Sequence, residues 1–114
     1  SSPGGDSTHH AINTEVLENL GPDGVIVNIG RGSIVDTDAL VRALVSGTIS
    51  GAGLDVLEDE PKVPKSIIGL KNLTMTPHIA GNCPEAAIAK LELYMQNVEL
   101  CLNRNAPLTP VPKG

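Results

Sequence analysis

The chain of 114 residues is almost devoid of aromatic side chains: Tyr94 is the single tyrosine, and phenylalanine and tryptophan are absent. Its core must therefore be aliphatic. Positive charge is also scarce, with 8 lysines and arginines against 13 aspartates and glutamates and a net charge of −5. This balance argues against a nucleic-acid surface or an anionic-membrane patch, because both need clustered positive charge. No apolar run exceeds a few residues, so none is long enough to span a bilayer. The length allows at most one ordinary domain.

Cysteine is rare as well. Cys83 and Cys101 form no CxxC pair, which is typical of buried thiols in a reducing cytosol rather than of a disulfide framework. The first six residues have neither the basic nor the apolar region of a secretory signal, and we expect a cytoplasmic location. The sequence begins in a turn-rich stretch without an initiating methionine, and we expect it to be a piece of something longer.

Helical and strand patterns alternate along the chain. The residue patterns and their caps predict helices at residues 13–21, 36–47 and 84–104, strands at 25–29, 52–57 and 73–76, and a helical turn at 65–70. The run at 25–29 is apolar without alternation, as in a strand buried on both faces. Strands separated by helices and loops predict parallel pairing in an α/β layered sheet.

Apolar spacing also predicts which helix faces are buried. In the second helix the predicted stripe is Leu40, Val41, Leu44 and Val45. In the last helix, which begins at Pro84, apolar residues recur at three- and four-residue steps. Its predicted buried face consists of Ile88, Leu91, Met95, Val98 and Leu102, flanked by Tyr94 and Cys101.

Ionisable residues follow each predicted strand. Arg31 follows the first, Asp55 and three acids at 58–60 lie in and after the second, and His78 follows the third. Ligands of an open parallel sheet bind beyond the carboxyl ends of its strands. An arginine there can hold an anion bidentately. A histidine can exchange a proton near neutral pH, and an acid beside it can orient the ring and favour its charged form.

Each of these residues also has a plainer interpretation. Arg31 could be a solvated loop cation, Glu60 one of several surface acids, and His78 a structural loop cap. Asp36 is better explained as the N-cap of the second helix than as catalytic. The adjacent His9 and His10 should point to different sides of an extended chain, so we expect no metal site.

Three segments resemble motifs of the D-isomer-specific 2-hydroxyacid dehydrogenases, in the same order. Residues 28–36 resemble that family's N-x-x-R-G-x-x-V-D signature, residues 51–61 its G-A-G-L-D-V…E-P segment, and residues 76–81 its T-P-H-I-x-G segment. Residues 6–13 resemble the loop and helix that precede the first signature. Within the family, the segments 57–61, 80–82 and 107–111 are most similar to glyoxylate/hydroxypyruvate reductases.

The resemblance implies an α/β fold, the second half of a Rossmann-like parallel-sheet domain followed by a long C-terminal helix. Residues 1–82 would form this C-terminal half of an NAD(P)-binding domain. Residues 83–104 would form a helix returning toward a substrate-binding lid domain, and residues 105–114 an extended tail. The implied activity is the reduction of a small 2-oxo acid to the D-2-hydroxy acid with NADPH or NADH, NADP being preferred, in a homodimeric parent protein.

The resemblance also assigns roles to residues. Arg31 would bind the carboxylate and carbonyl of the 2-oxo acid, Glu60 would tune the imidazole, and His78 would protonate the carbonyl oxygen. Asp55 would contact the carboxamide of the nicotinamide. The full set implied for the nicotinamide end of the cofactor is Ile29, Gly30, Arg31, Asp55, His78 and Ala80. Cys83 stands where the family often has a capping threonine, and since a thiol caps poorly we expect a weaker helix start.

One family feature is missing, because no G-x-G-x-x-G occurs in the chain. In the family this phosphate-binding loop lies upstream, and we therefore expect the 114-residue chain alone neither to bind the dinucleotide tightly nor to turn over. A co-repressor-type protein that senses a dinucleotide with the same fold, a degenerate fragment without activity, and 3-phosphoglycerate dehydrogenase stay open as alternatives. Formate dehydrogenase is disfavoured, since that branch pairs its histidine with Gln where this chain has Glu60.

Overall fold

Three short parallel strands form a single sheet in the computed structural model, which describes residues 5–104 and 106–110. They are β1 (Val25–Asn28), β2 (Gly51–Leu54) and β3 (Leu73–Met75), in the spatial order β1-β2-β3. The register pairs Asn28 with Leu54 and Leu54 with Met75, so the strands end in one row. The predicted parallel sheet is confirmed. Each strand stops earlier than predicted, and the polar residues that follow belong to loops.

Within the described residues, three helices and three short turns accompany the strands along the chain. They are α1 (Thr14–Leu20), α2 (Thr37–Ser46) and α3 (Pro84–Arg104), with short 3₁₀ turns at Asp6–Thr8, Gly32–Ile34 and Lys65–Ile67. The side chain of Asn13 caps α1 by accepting from the Val16 N–H (3.1 Å), and Asp36 caps α2 by accepting from the Ala39 N–H (2.9 Å). The predicted helix positions and the predicted N-cap role of Asp36 are confirmed.

The aliphatic core lies between α1, α2 and one face of the sheet. Its members are fully or nearly buried: Leu17, Val35, Ala39, Leu40, Ala43, Leu44, Ile49, Ala52 and Leu54. The stripe predicted for α2 is only half right, because Val45 is 70% exposed and Val41 is half-buried. The inward face is instead completed by Ala39 and Ala43, whose small side chains permit close approach of neighbouring elements.

The prediction that β1 is buried on both faces is wrong. Ile26 packs against the core, but Val25 is 58% and Val27 67% exposed. The strand therefore alternates, with one face on the core and one uncovered.

The backbone contacts divide the molecule into two units, Ser1–Ala80 and Gly81–Gly114. The second unit contains α3 and the described residues 106–110, where Thr109 donates its N–H to the Asn97 Oδ1 (3.0 Å). The rest of the predicted extended tail, residues 105 and 111–114, lies outside the described residues. None of the described helices is long and apolar enough to cross a membrane.

Two predictions for the second unit are wrong. The apolar stripe of α3 is exposed rather than buried, with Leu91 at 62% and Leu102 at 79%, and both cysteines are exposed free thiols. Periodicity shows which residues share a helix face, but it does not show whether that face is covered. Cys83 does serve as a cap, since its Sγ accepts from the Ala86 N–H (3.4 Å).

Candidate active site

The carboxyl ends of the three strands bring the predicted site residues to one edge of the sheet. Asn28, Leu54 and Met75 share a row; Asp55 follows the middle strand directly, while Arg31 and His78 each lie three residues beyond the outer strands. Neighbouring parallel strands are about 4.8 Å apart, which separates β1 from β3 by about 10 Å. This edge of the sheet thus carries a cation, a carboxylate and an imidazole on three strands, and the separation of the outer two is comparable to the length of a small ligand.

Asn28 shapes the turn that carries Arg31. Its nearly buried side chain donates to the Arg31 carbonyl (2.8 Å) and accepts from the Gly30 N–H (3.0 Å). Arg31 is exposed and donates one guanidinium N–H to the Gly30 carbonyl (2.8 Å). Sequence reasoning gave Asn28 no role, although a single amide in an apolar run was a usable signal.

Gly32 joins this turn to the acidic segment after β2. A Cβ at Gly32 would lie 2.0 Å from the carbonyl carbon and oxygen of Leu57 and 2.5 Å from the Glu58 nitrogen. Any side chain would collide with this peptide, so only glycine permits the close approach. The turn after β1 and the segment leading to Glu60 are therefore in direct contact.

Asp55 is buried, with 6% of its surface exposed, and its carboxylate is well supplied with donors. Oδ1 accepts from the Thr76 hydroxyl (2.5 Å) and the Ile79 N–H (2.9 Å), and Oδ2 accepts from the Ala80 N–H (2.9 Å). These hydrogen bonds, that of Thr76 foremost, lower the pKa of Asp55. A carboxylate has about four acceptor positions, and hydrogen bonds among the described residues fill three of them.

The loop that Asp55 holds contains His78 in an unusual backbone conformation. His78 has φ 54°, a left-handed value that non-glycine residues rarely adopt. Its N–H points to the carbonyls of Asp55 (2.9 Å) and Thr76 (3.1 Å). Such strain persists only where the surroundings over-determine it, and it is concentrated at functional sites.

The ring of His78 is oriented by Glu60. Nδ1 of His78 lies 2.7 Å from Oε2 of Glu60, while Oε1 of Glu60 accepts from the Leu57 N–H (2.9 Å). The hydrogen bond from His78, followed by that from Leu57, lowers the pKa of Glu60. An ionised carboxylate can only accept, so Nδ1 carries the proton and Nε2 is the ring atom left to exchange one with a substrate.

Of the three predicted catalytic residues, the structure places two in contact. Glu60 and His78 line a largely apolar cavity of about 350 Å³, together with Asp55 and Thr76. Arg31 does not line this cavity and, within the described residues, forms no hydrogen bond or ion pair with Glu60 or His78. It lies on the same edge and is linked to the pair through Gly32 and Leu57.

The remaining residues predicted for the cofactor lie in the loops after β1 and β3. Ile29 is 54% exposed at the end of β1, and Gly30 is buried beside Asn28. Ala80 is exposed, with its N–H directed to Asp55.

A second cluster joins His9, His10 and Glu58, whose candidate ligand atoms lie within 4.8 Å of one another. The expectation that the two histidines diverge is wrong: their rings stack with centroids 4.0 Å apart, because His10 has φ 50° and turns back onto its neighbour. Both oxygens of Glu58 already have hydrogen-bond partners, His10 and Thr37. The sequence carried no signal for this cluster, since Glu58 lies 48 positions after His10.

Comparison with known proteins now identifies the family. Residues 1–80 match the model of the D-isomer specific 2-hydroxyacid dehydrogenase NAD binding domain. The chain belongs to this family. The resemblance inferred from the three motifs is thereby confirmed.

Individual relatives of this family member have reductase names. It is 42% identical over 106 residues to a glyoxylate/hydroxypyruvate reductase of Arabidopsis thaliana, covering 93% of the chain and 33% of the relative. It is 46% identical over 104 residues to a hydroxyphenylpyruvate reductase of Plectranthus scutellarioides, covering 91% and 33%. The chain thus spans about a third of the length of these relatives.

A solved structure confirms the fold. The NADPH-dependent glyoxylate/hydroxypyruvate reductase of Sinorhizobium meliloti, in complex with NADP and malonate, superposes with a TM-score of 0.84 at 45% identity, covering 96% of this chain and 34% of that one. The chain therefore has the Rossmann-like parallel-sheet fold that the motifs implied.

Proposed function

We propose that this chain is the C-terminal half of the NAD(P)-binding domain of a dehydrogenase that reduces a small 2-oxo acid, of the glyoxylate or hydroxypyruvate kind, to the D-2-hydroxy acid. The hydrogen bond between Glu60 and Nδ1 of His78, at the sheet edge that also carries Arg31, is the observation that supports it most. The reductase names of the relatives favour this substrate class.

Each of the three residues has a distinct task in the proposed reaction. Arg31 binds the carboxylate of the 2-oxo acid, because a guanidinium matches that group with two parallel hydrogen bonds. Glu60 holds the ring of His78 through Nδ1, so that Nε2 faces the substrate. His78 then donates the Nε2 proton to the carbonyl oxygen, which becomes the hydroxyl of the product.

The residues present suit the nicotinamide end of a dinucleotide. Asp55, whose carboxylate accepts three hydrogen bonds, takes the carboxamide N–H at its fourth acceptor position, and Ile29, Gly30 and Ala80 line the same end of the cofactor. When bound, the dinucleotide supplies the hydride for the reduction. NADP is the preferred form, as in the reductase of Sinorhizobium meliloti.

The remaining assignments extend the same proposal to the full-length protein. Residues 83–104 return to the lid domain that supplies further substrate contacts, and the protein is a cytoplasmic homodimer. These assignments rest on the family resemblance, and the proportion of the relatives that the chain covers is consistent with them.

Steady-state kinetics of the full-length protein test the activity. We expect NADPH oxidation with glyoxylate and hydroxypyruvate, and a loss of about 10²–10⁴-fold in kcat for His78→Asn, the usual contribution of a general acid. Asp59→Asn is the matched control, because Asp59 is an exposed acid beside Glu60 and its carboxylate takes part in none of the ion pairs of the described residues.

Other outcomes would replace the proposal. Preference for phosphohydroxypyruvate would indicate a 3-phosphoglycerate dehydrogenase. Dinucleotide binding without turnover of any of the three 2-oxo acids would indicate a sensor, and neither binding nor turnover a degenerate protein.

A further inference from the structure

Glu58, two positions before Glu60, uses both of its carboxylate oxygens. Oε1 lies 2.5 Å from Nε2 of His10, and Oε2 accepts from both the N–H (3.1 Å) and the hydroxyl (2.5 Å) of Thr37. Thr37 is the first residue of α2, where backbone N–H groups lack helical partners and negative charge is favoured. Although partial burial opposes it, these hydrogen bonds lower the pKa of Glu58. This acid is an anchored group, unlike its neighbour Asp59.

His10 is itself fixed to the segment that follows Arg31. Its N–H donates to the Ser33 carbonyl (2.9 Å). Two residues later, the Ile12 N–H donates to the Ile34 carbonyl (2.9 Å), and the Ile12 carbonyl accepts from the Asp36 N–H (3.0 Å). The hydrogen bond to Glu58 raises the pKa of His10. Glu58 thereby ties three pieces of chain together: the segment before α1 that contains His10, the start of α2, and its own segment after β2.

Leu57 connects this anchoring to Glu60. Its peptide bond to Glu58 lies against Gly32, where an added Cβ would be 2.0 Å from the Leu57 carbonyl carbon. Its own N–H, in the preceding peptide, donates to Oε1 of Glu60 (2.9 Å), and Oε2 of the same carboxylate holds Nδ1 of His78 (2.7 Å). A displacement of Glu58 therefore moves the donor that fixes one oxygen of Glu60.

We propose that His10, Thr37 and Glu58 form a clamp that positions Glu60 and, through it, the ring of His78. These are positioning residues, because their side chains bond to one another and act on Glu60 through Leu57, whose N–H donates to it. The effect of the clamp on catalysis rests on the proposed function, whereas its effect on the ring of His78 does not.

The clamp depends on the charges of its side chains as well as on their geometry. The charged and titratable groups around His10 are Glu58, Asp36, whose charge also raises the pKa of His10, and the stacked ring of His9. Because the pKa of His10 is raised above 6.5, the ion pair is complete below that value and weakens as the pH rises through the folded-state pKa.

Long-range proton–nitrogen NMR spectra of the 114-residue chain test the clamp directly. In the wild type, Nδ1 of His78 should carry a proton and be held in one tautomer. Glu58→Gln should lower the pKa of His10 toward 6.5 and bring the ring of His78 into exchange between tautomers. Asp59→Asn, one position away, should change neither histidine.

Thr37→Val is a second, milder variant, since it removes one hydroxyl donor to Glu58 and preserves the size of the side chain. It should shift the His78 signals in the same direction as Glu58→Gln, and Thr37→Ser, which restores the hydroxyl, should return them. His78 signals that stay as in the wild type in both Glu58→Gln and Thr37→Val would overturn the clamp.

Kinetics of the full-length protein provide the catalytic readout. Glu58→Gln should lower kcat by about 10-fold to 100-fold, the range expected when a catalytic group is misplaced by up to about 1 Å, and should leave the KM for the 2-oxo acid unchanged. Equal kcat values for Glu58→Gln and Asp59→Asn would overturn the catalytic role. A wild-type protein without reductase activity would instead refute the proposed function, and the NMR spectra alone would then decide on the clamp.

Discussion

Gly32→Ala is the substitution for which the structure predicts the clearest effect. The added Cβ would lie 2.0 Å from the Leu57 carbonyl carbon and oxygen, whereas ordinary contact begins at 3.4 Å. Both obstructing groups are backbone, so the segment from Leu57 to Glu58 must move by about 1.4 Å. Overpacking of this kind costs about 1–3 kcal/mol.

Gly53→Ala is the matched control. The same methyl group on β2 would meet the two Val27 methyls at 3.6 and 3.7 Å, which is ordinary contact. Replacing glycine at a compatible position stabilises by about 0.4–1 kcal/mol, because the unfolded chain loses freedom. One chemical change at two sites is therefore expected to shift the free energy of unfolding in opposite directions.

Urea unfolding of the 114-residue chain measures both effects. Methyl NMR signals of Leu40 and Ile49 are suitable probes, because both side chains are buried in the core of the first unit. The fluorescence of Tyr94 is not, since this residue belongs to the second unit. Equal midpoints for Gly32→Ala and Gly53→Ala would refute the close approach of Gly32 to Leu57.

Three further predictions concern the chain and its carboxylates. The 114-residue chain alone should not oxidise NADPH or NADH in the presence of glyoxylate, because it lacks a G-x-G-x-x-G loop; substrate-dependent oxidation by the purified chain would contradict this. Because the pKa of Glu60 is lowered from its ordinary 4.5, its stabilisation is present above that value and is lost as the pH falls through the folded-state pKa. Glu60→Gln should therefore flatten the acid side of a stability profile measured between about pH 3 and 6, and a profile like that of the wild type would argue against the ion pair. Asp55→Asn should speed hydrogen exchange at the Ile79 and Ala80 amides, because an amide group cannot accept at both of its terminal atoms; unchanged exchange would show that the loop does not depend on Asp55.

Element positions were predictable from local residue chemistry. Asn13 and Asp36 can cap helices with their side chains, Gly47 permits the left-handed end of α2 (φ 75°), and Pro84 suits the first turn of a helix. Burial was predicted less well. Val27, Val45 and Leu91 are apolar at the right periodicity and are nonetheless exposed, because a sequence pattern does not contain the surface that would cover them.

The candidate site was predictable where it depends on topology. Arg31, Asp55 and His78 each follow a strand, and parallel pairing alone brings them to one edge. Glu60 was not distinguishable by pattern from Glu58 and Asp59, and only the motif resemblance selected it. The pairing of Glu58 with His10 depends on a left-handed histidine backbone and on contacts across 48 positions, for which no local pattern exists.

The two carboxylates that act on His78 control different degrees of freedom. The backbone carbonyl of Asp55 accepts from the His78 N–H, and its carboxylate accepts from the N–H groups of Ile79 and Ala80. Asp55 therefore determines where the strained backbone of His78 lies. Glu60 bonds to the ring of His78 and not to its backbone, so it determines where Nε2 points. A buried carboxylate engaged by backbone amides suits the first task, because its donors are immobile. The exposed carboxylate of Glu60 performs the second task through a single hydrogen bond to Nδ1 of the ring. Loss of Asp55 should therefore displace the imidazole, whereas loss of Glu60 should leave it in place and free to rotate.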